Sequence, residues 1–296
     1  MRTAFIAIVG RPNVGKSTLM NHLLGEKVAI VSPKPQTTRN RIAGILTKGE
    51  DQYVFLDTPG VHHAKNKLGE FMMKTVRSSV GSADAVILIA EAGYPAGEIE
   101  KNLINQIKKS ELPSILVLNK IDLVNREKLA ETIANYAALH DFDAVVPTCA
   151  ETGKNVSDVL DEAEKFLYEG EWMFDEDSLT DQPERQIAAE IIREKLLRTL
   201  SDEIPHGTAV VIEQFDEDDK MIRIRAEIYC EKQSHKGIIV GKNGETLKKI
   251  GTYAREDIEA FFGTKVYLNL WVKVKEKWRD DQLSLNSFGF KPEQNM

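Results

Sequence analysis

Cysteine is almost missing: 296 residues hold two, Cys149 and Cys230. Two such distant residues exclude a disulfide-stapled fold and a cysteine-ligated metal cluster, and they point to a reducing compartment. No apolar run approaches the roughly 18 residues of a membrane span. No charged, apolar and small-residue succession follows Met1, so no secretory leader is expected. Positive charge is not in excess either. The net charge of −7 excludes indiscriminate nucleic-acid binding by the whole surface but leaves room for a local basic patch. Internal repeats are absent, and only one GxxxxGKS occurs, which excludes a tandem nucleotide-binding protein. What is present is 42% hydrophobic residues, enough for full cores, in a length that suits two domains at roughly 100–200 residues each.

The first part alternates short apolar runs (5–9, 53–56, 85–90, 114–118 and 144–146) with amphipathic stretches (15–24, 68–80, 98–109 and 127–139). This alternation predicts an α/β domain with a mostly parallel sheet covered by helices. Residues 42–48 form one further strand. They lie too close to Tyr53 for a crossover helix, so they are expected to pair with 53–56 as an antiparallel hairpin. The pattern breaks near 166–170, and 171–184 carries six acids, no bases and Pro183. The expected division is a first domain at 1–170, an acidic linker at 171–184 and an α+β domain at 185–296. The alternative for 171–184 is an acidic surface loop of the first domain. From 184 the order reads helix, strand (208–214), strand (221–230), helical turn (234–240), helix (244–262), strand (265–275), with Asp216-Glu-Asp-Asp219 as the hairpin turn.

Gly10-Arg11-Pro12-Asn13-Val14-Gly15-Lys16-Ser17, followed by Thr18, links a predicted strand to a predicted helix. That is the context of a phosphate-cradling loop. The glycines let backbone N–H groups approach phosphate, and the helix N-terminus adds partial positive charge. Lys16 is placed to reach the β- and γ-phosphates, and Ser17 to ligate Mg²⁺. Asp57-Thr58-Pro59-Gly60 ends a second strand, where an acid can hold a Mg²⁺-bound water and Gly60 N–H can approach the γ-phosphate. Asn119-Lys120-Ile121-Asp122 ends a third, where Asp122 can accept both guanine N–H groups. DxxG and NKxD are each weak signals alone. Three such sites in this order at carboxyl ends of strands are a strong one, because ligands of open α/β sheets bind at that edge.

These motifs resemble the translation-factor-like branch of P-loop GTPases. The resemblance implies GTP and GDP as ligands, with Asp122 selecting guanine and Asn119 and Lys120 bracing the base and the loop. Cys149 and Ala150 fall where that family has its Ser-Ala base-contacting loop, and Cys149 departs from the usual serine. Pro35-Gln36-Thr37-Thr38-Arg39 matches a switch loop in which one threonine ligates Mg²⁺. Thr38 is the better match and Thr37 the fallback. The expected catalytic set is Lys16, Thr38 and Gly60, with Ser17, Thr38 and Asp57 around Mg²⁺. Val61 stands where signalling GTPases carry a water-orienting glutamine, so intrinsic hydrolysis is expected to be slow or to use another group. Asn13 is a candidate K⁺ ligand by the same resemblance; the alternative is that it only braces the loop. The adjacent His62 and His63 read as solvated.

The second domain carries Gly241-Lys242-Asn243-Gly244 between a helical turn and a helix, a GxxG loop past which a nucleic-acid backbone can run closely. Residues 232–279 hold 11 Lys/Arg against 5 Asp/Glu. Lys248 and Lys249 follow the loop, and Ile238, Ile239 and Val240 before it are candidates to line a groove for bases, with core packing the alternative expected for at least one of them. The element order resembles the prokaryotic (type II) KH fold. One GTPase domain followed by this module closely resembles the bacterial Era GTPases over nearly the whole chain, through GRPNVGKS, PQTTR, DTPG, NKID and IIVGKNGETLKKIG. The resemblance implies a monomeric, cytoplasmic GTPase that binds the 3′ region of 16S ribosomal RNA and assists assembly of the 30S subunit, with peripheral contact at the inner membrane face left open. Rival readings are a GTPase of tRNA modification, which needs a further catalytic domain, and a constitutive RNA-binding protein with a weak GTPase. The tail at 278–296, with Phe288 and Phe290, either packs on the module or touches RNA.

Overall fold

A computed structural model describes residues 1–218 and 220–291. They divide into two units, residues 1–64 with 69–181, and residues 65–68 with 182 onward.

In the first unit β1 (Arg2–Val9) leads into α1 (Lys16–Leu24), then the hairpin β2 (Ile42–Lys48) and β3 (Asp51–Asp57). There follow α2 (Lys67–Gly81), β4 (Ala85–Glu91), α3 (Glu98–Ser110), β5 (Ser114–Asn119), α4 (Arg126–Ala137), β6 (Ala144–Pro147), α5 (Val156–Ala163) and β7 (Tyr168–Glu169). The strand order is β2-β3-β1-β4-β5-β6, with β7 added antiparallel to the start of β1. Only β2 and β7 run against the parallel set, and β2 pairs antiparallel with β3 as its short connection requires. β5 (SILVLN) is buried at all six positions. A strand covered by helices on both faces reads this way, apolar throughout rather than alternating. The chain leaves β1 towards β3 on one side and later returns to β4 on the other. The reversal of strand order therefore falls at β1, where such sheets open a crevice.

Residues 171–181 correct the expected linker. The Gln52 side chain accepts from Met173 and Phe174 N–H and donates to the Phe174 carbonyl. Thr180 Oγ1 donates to the Ala43 carbonyl at 2.7 Å, Ile45 N–H donates to the Leu179 carbonyl, and Phe174 packs beside Ala43, Ile45, Val54 and Leu56. The segment thus covers the edge strand β2 and satisfies backbone groups that an uncovered edge would leave unpaired. The surface-loop alternative is the one the structure adopts.

The second unit runs α6 (Glu184–Thr199), β8 (Ala209–Asp218), β9 (Met221–Cys230), α7 (Gln233–Val240), α8 (Glu245–Phe262), β10 (Lys265–Val274) and α9 (Gln282–Ser287). Its sheet has the order β10-β9-β8, with β10 parallel and β8 antiparallel to β9. Ile222, Ile224, Ala226 and Ile228 face a core shared with Ile192 and Leu196 of α6 and Ile250, Ala254 and Ile258 of α8. The expected acidic hairpin turn is shorter than read. Residues 216–218 belong to β8, where Asp216 lies opposite Arg223 and the Asp218 carboxylate accepts from Arg223 and from the N–H groups of Lys220 and Met221. Asp219 lies outside the described residues. Residues 278–291 of the tail pack on this unit: Trp278 is fully buried, its indole N–H donates to the Gly207 carbonyl at 2.9 Å, and Phe288 and Phe290 close around it.

Candidate functional site

The loop after β1 is shaped by what cannot fit in it. A Cβ on Gly10 would meet the Ile89 carbonyl at 2.3 Å, and one on Gly15 (φ +106°) would meet Asn119 Nδ2 at 2.2 Å. Gly60 passes the Pro12 backbone so closely that a Cβ would lie 2.7 Å from it. Val61 N–H then donates to the Gly10 carbonyl at 3.0 Å, tying the DxxG turn to the loop. Asn119 Nδ2 donates to the Val14 carbonyl at 2.7 Å, while its Oδ1 accepts from Ala150 N–H at 2.8 Å and from Thr148 Oγ1 at 3.3 Å. One buried amide thereby joins three segments far apart in sequence.

At the phosphate end, Lys16 is buried and its Nζ donates to the carbonyls of Arg11 (2.9 Å) and Gly10 (3.3 Å). Burial lowers its pKa to about 8, partly opposed by the charge of Asp57. Asp57 is fully buried, and burial raises its pKa against the pull of Lys16 and the hydroxyls. Its Oδ2 accepts from Ser17 Oγ at 2.6 Å and from Thr38 Oγ1 at 3.1 Å, and those hydroxyls lie 3.0 Å apart. Asp57 Oδ1 is buried with no hydrogen-bond partner. An orphaned carboxylate oxygen beside two hydroxyls is an all-oxygen donor set of the kind that suits Mg²⁺. Of the two candidate threonines, Thr38 joins the cluster. Thr37 Oγ1 instead donates to the Lys34 carbonyl at 2.7 Å.

At the base end, Asp122 sits exposed in a 3₁₀ turn, Ile121–Leu123, opened by Lys120 in a left-handed conformation (φ +64°). Lys120 Nζ pairs with Glu91 at 2.9 Å. Cys149 is buried and exchanges backbone hydrogen bonds with Lys154, so the position is held through its main chain. A cavity of about 610 Å³ connects the two ends, within the range of roughly 300–1,000 Å³ of small-molecule sites.

Of the residues expected to bind nucleotide, Pro12, Asn13, Gly15, Lys16, Ser17, Thr18, Gly60, Asn119, Lys120, Asp122 and Cys149 line this cavity. Gly10, Arg11, Val14, Asp57, Thr58, Pro59 and Ala150 stand behind it. Thr58 Oγ1 donates to the Ile8 carbonyl, Arg11 pairs with buried Glu100, and Ala150 N–H is taken by Asn119. The sequence reading missed the wall formed by Ile30, Val31, Ser32 and Pro33, and also Leu123 and Glu151. The available signals were the place of 30–33 just before PQTTR and of Leu123 and Glu151 directly after NKID and Cys149-Ala150. His62 departs from its solvated reading: it is half-buried, Nδ1 lies 3.0 Å from the Gly60 carbonyl, and Nε2 lies 3.4 Å from the Gln36 amide. Asn13 (φ +63°) donates through Nδ2 to the Pro33 carbonyl at 2.8 Å, so it does brace the loop.

In the second unit, Gly241 (φ +75°) and Gly244 (φ +80°) flank exposed Lys242 and Asn243. A Cβ on Gly241 would meet Thr246 Oγ1 at 2.2 Å, so the loop needs glycine there for fit as well as for conformation. Beside it lies a groove of about 390 Å³ lined by Leu247, Lys248, Gly251, Arg255, Leu268 and Leu270, among others. Lys249 points elsewhere, over the Tyr253 ring. Ile239 corrects the expected groove lining: it is fully buried in the core, because its position on α7 faces α8 and the sheet. Ile238 is 50% exposed and Val240 is half-buried.

Comparison with known proteins agrees in both halves. Residues 5–120 match the model of the 50S ribosome-binding GTPase family, and residues 203–279 match that of the KH domain. The GTPase Era of Ruminiclostridium cellulolyticum is 47% identical over 295 residues, covering 99% of each chain, and that of Clostridium botulinum is 49% identical over 291 residues, covering 98% of each. The crystal structure of an Era in complex with MgGDPNP and nucleotides 1506–1542 of 16S ribosomal RNA superposes with a TM-score of 0.94 at 38% identity, covering 98% of this chain and 99% of the other. That of a single-residue variant of Aquifex aeolicus Era bound to GDP·AlF4⁻ gives 0.94 at 39%, with the same coverage. The chain belongs to the Era family of GTPases.

Proposed function

We propose that this chain hydrolyses GTP in the cavity of its first unit and grips the 3′ region of 16S ribosomal RNA with its second, as a factor in assembly of the small ribosomal subunit. The observation that carries the GTP half is the gathering of Lys16, Ser17, Thr38 and Asp57 at one end of a single cavity and Asn119, Lys120 and Asp122 at the other. The RNA half rests on the exposed Lys242-Asn243 tip beside a basic groove, and on the relative crystallised with nucleotides 1506–1542.

Lys16 moves from carbonyl partners to the β- and γ-phosphates, where its charge meets the charge that develops in the transition state. The Ser17 and Thr38 hydroxyls ligate Mg²⁺, and Asp57 orients towards it through water. When bound, the ion supplies charge neutralisation between the phosphates. Gly60 presents its N–H to the γ-phosphate, which links DxxG to the nucleotide state. Asp122 reads guanine. Val61 offers no polar group to the attacking water. With Nδ2 held by Pro33, Asn13 keeps Oδ1 as an acceptor for K⁺, whose charge can substitute for a positive finger residue. In the second unit Gly241 and Gly244 let the RNA backbone pass, and Lys242 and Lys248 attract it.

The test is GTP turnover measured alone, with 30S subunits and with tRNA. The reading expects stimulation by 30S subunits or their 16S RNA. Stimulation by tRNA alone favours the tRNA-modification reading. Guanine-nucleotide binding without turnover under any condition favours a constitutive RNA-binding protein.

A further inference from the structure

β10 is an edge strand with two unlike faces. Leu268 and Leu270 line the groove beside the GKNG loop, whereas Tyr267, Asn269 and Trp271 alternate onto the opposite face of the sheet. On that face Tyr267 is 59% exposed and Trp271 is 56% exposed. Two aromatic rings left this open are not core residues. Their neighbours across the parallel register are Arg223 beside Tyr267, Arg225 beside Asn269 and Glu227 beside Trp271.

We propose that Tyr267 and Trp271 form a stacking platform for single-stranded RNA that leaves the groove and folds round the β10 edge. The proposal rests on the RNA reading above and names a second contact surface for the same ligand. A KH groove holds about four nucleotides, so a longer strand needs somewhere to go. The two rings are separated by four residues of extended chain, about 13 Å at 3.3 Å per residue, with polar Asn269 between them. That spacing suits separate bases better than a protein partner, which favours a contiguous apolar patch. Charge agrees with this occupant. Of the acids on this side of the sheet, Glu227 is paired with Lys273 at 2.5 Å and accepts from the Tyr229 hydroxyl at 2.6 Å, Asp218 is paired with Arg223, and Asp216 lies opposite Arg223 and accepts from Gln214. Arg225 and Lys265 are exposed beside the rings and form no ion pair among the described residues. Base–aromatic stacking tolerates any base, so the platform adds affinity and direction rather than sequence choice.

The experiment compares two labelled RNAs from the 3′ end of 16S RNA, one of about four nucleotides to fill only the groove and one of about twelve. The Tyr267→Ala/Trp271→Ala protein is expected to bind the long RNA at least about thirtyfold more weakly, the low end of stacking losses for two bases, and the short RNA as before. The Tyr267→Phe/Trp271→Phe protein is expected to keep most of the long-RNA affinity. Unchanged long-RNA binding in the alanine protein overturns the proposal. Equal losses on both RNAs also overturn it, since the rings then act through the groove or the fold, which unaltered melting and GTP binding tell apart. Failure of the unsubstituted protein to bind either RNA is a different result, because it removes the RNA reading itself.

Discussion

Asn119 is the residue whose removal tests the site's construction most directly. Its side chain is buried and makes two short hydrogen bonds, 2.7 Å to the Val14 carbonyl and 2.8 Å from Ala150 N–H, with a longer one from Thr148. Asn119→Ala deletes both partners at once. It leaves a buried carbonyl and amide N–H without their partner, at about 1–3 kcal/mol for each unsatisfied group, and some relaxation is expected because the phosphate loop borders the cavity. The combined cost is set at about 3 kcal/mol, which for a domain of this size lowers the melting temperature by about 6–12 °C. Nucleotide affinity falls as well, because Val14 and Ala150 belong to the loops that hold phosphate and base. Asn119→Asp separates geometry from chemistry. It keeps the shape and the acceptor for Ala150 but turns a donor into an acceptor against the Val14 carbonyl, so it is expected to do at least as much damage as alanine. Thermal unfolding with and without GDP, and titration with a fluorescent guanine nucleotide, measure both effects. A shift within about 2 °C together with unchanged affinity refutes the claim that this amide holds the site together.

Asp122→Asn is expected to weaken GTP by roughly 2–4 kcal/mol for a lost charge-assisted pair and to favour xanthosine triphosphate. Unaltered GTP affinity removes Asp122 from base recognition. Burial holds Lys16 near pKa 8, and bound phosphate restores its charge, so GTP affinity is expected to decline as pH rises above about 8. The effect on folding has the opposite sign: the unfolded chain binds more protons between the folded value and the ordinary lysine value, so this residue's contribution to stability grows with pH across that window. A flat affinity profile from about pH 7 to 9.5 contradicts the assignment. If Asn13 holds K⁺, turnover is faster in K⁺ than in Na⁺ and Asn13→Ala erases the difference; equal rates in the two salts exclude the ion. Lys242→Asp with Asn243→Asp, both exposed, is expected to cut RNA affinity at least about tenfold while GTP affinity stays level. Retained RNA binding makes GKNG a mere helix connector.

The phosphate loop, DTPG and NKID were legible because each is a local instruction. Gly10 and Gly15 tolerate no Cβ, and Asp57 and Asn119 sit at the last positions of their strands. Such demands act over a few residues and leave a fixed spacing in the chain. The choice of Thr38 over Thr37 lay at the edge of what spacing allows. What sets the two apart in the fold is a contact 19 residues away, the hydroxyl that Thr38 donates to Asp57. His62 had no local signature at all. Its burial follows from Gln36 and the Gly60 carbonyl converging on one ring, and a pair of histidines in a polar loop looks the same with or without them.

Residues 171–181 show why composition misled where spacing did not. The six acids and Pro183 of 171–184 look like solvated linker, yet this stretch also carries Trp172, Phe174 and Leu179. Trp172 donates to the Glu50 carbonyl, Phe174 packs on the β2–β3 hairpin, and the Leu179 carbonyl accepts from Ile45. What fixes the segment is the uncovered edge of β2, whose backbone groups gain partners when any extended strand lies along them. That demand belongs to a strand more than a hundred residues earlier and is nearly indifferent to side chains. β10 carries the complementary case. Its alternation was readable as a half-buried strand, but which face meets helices, and therefore that Tyr267 and Trp271 stay open, depends on α6 and α8 filling the other side. Periodicity fixes which residues share a face. Only packing decides which face is left for a ligand.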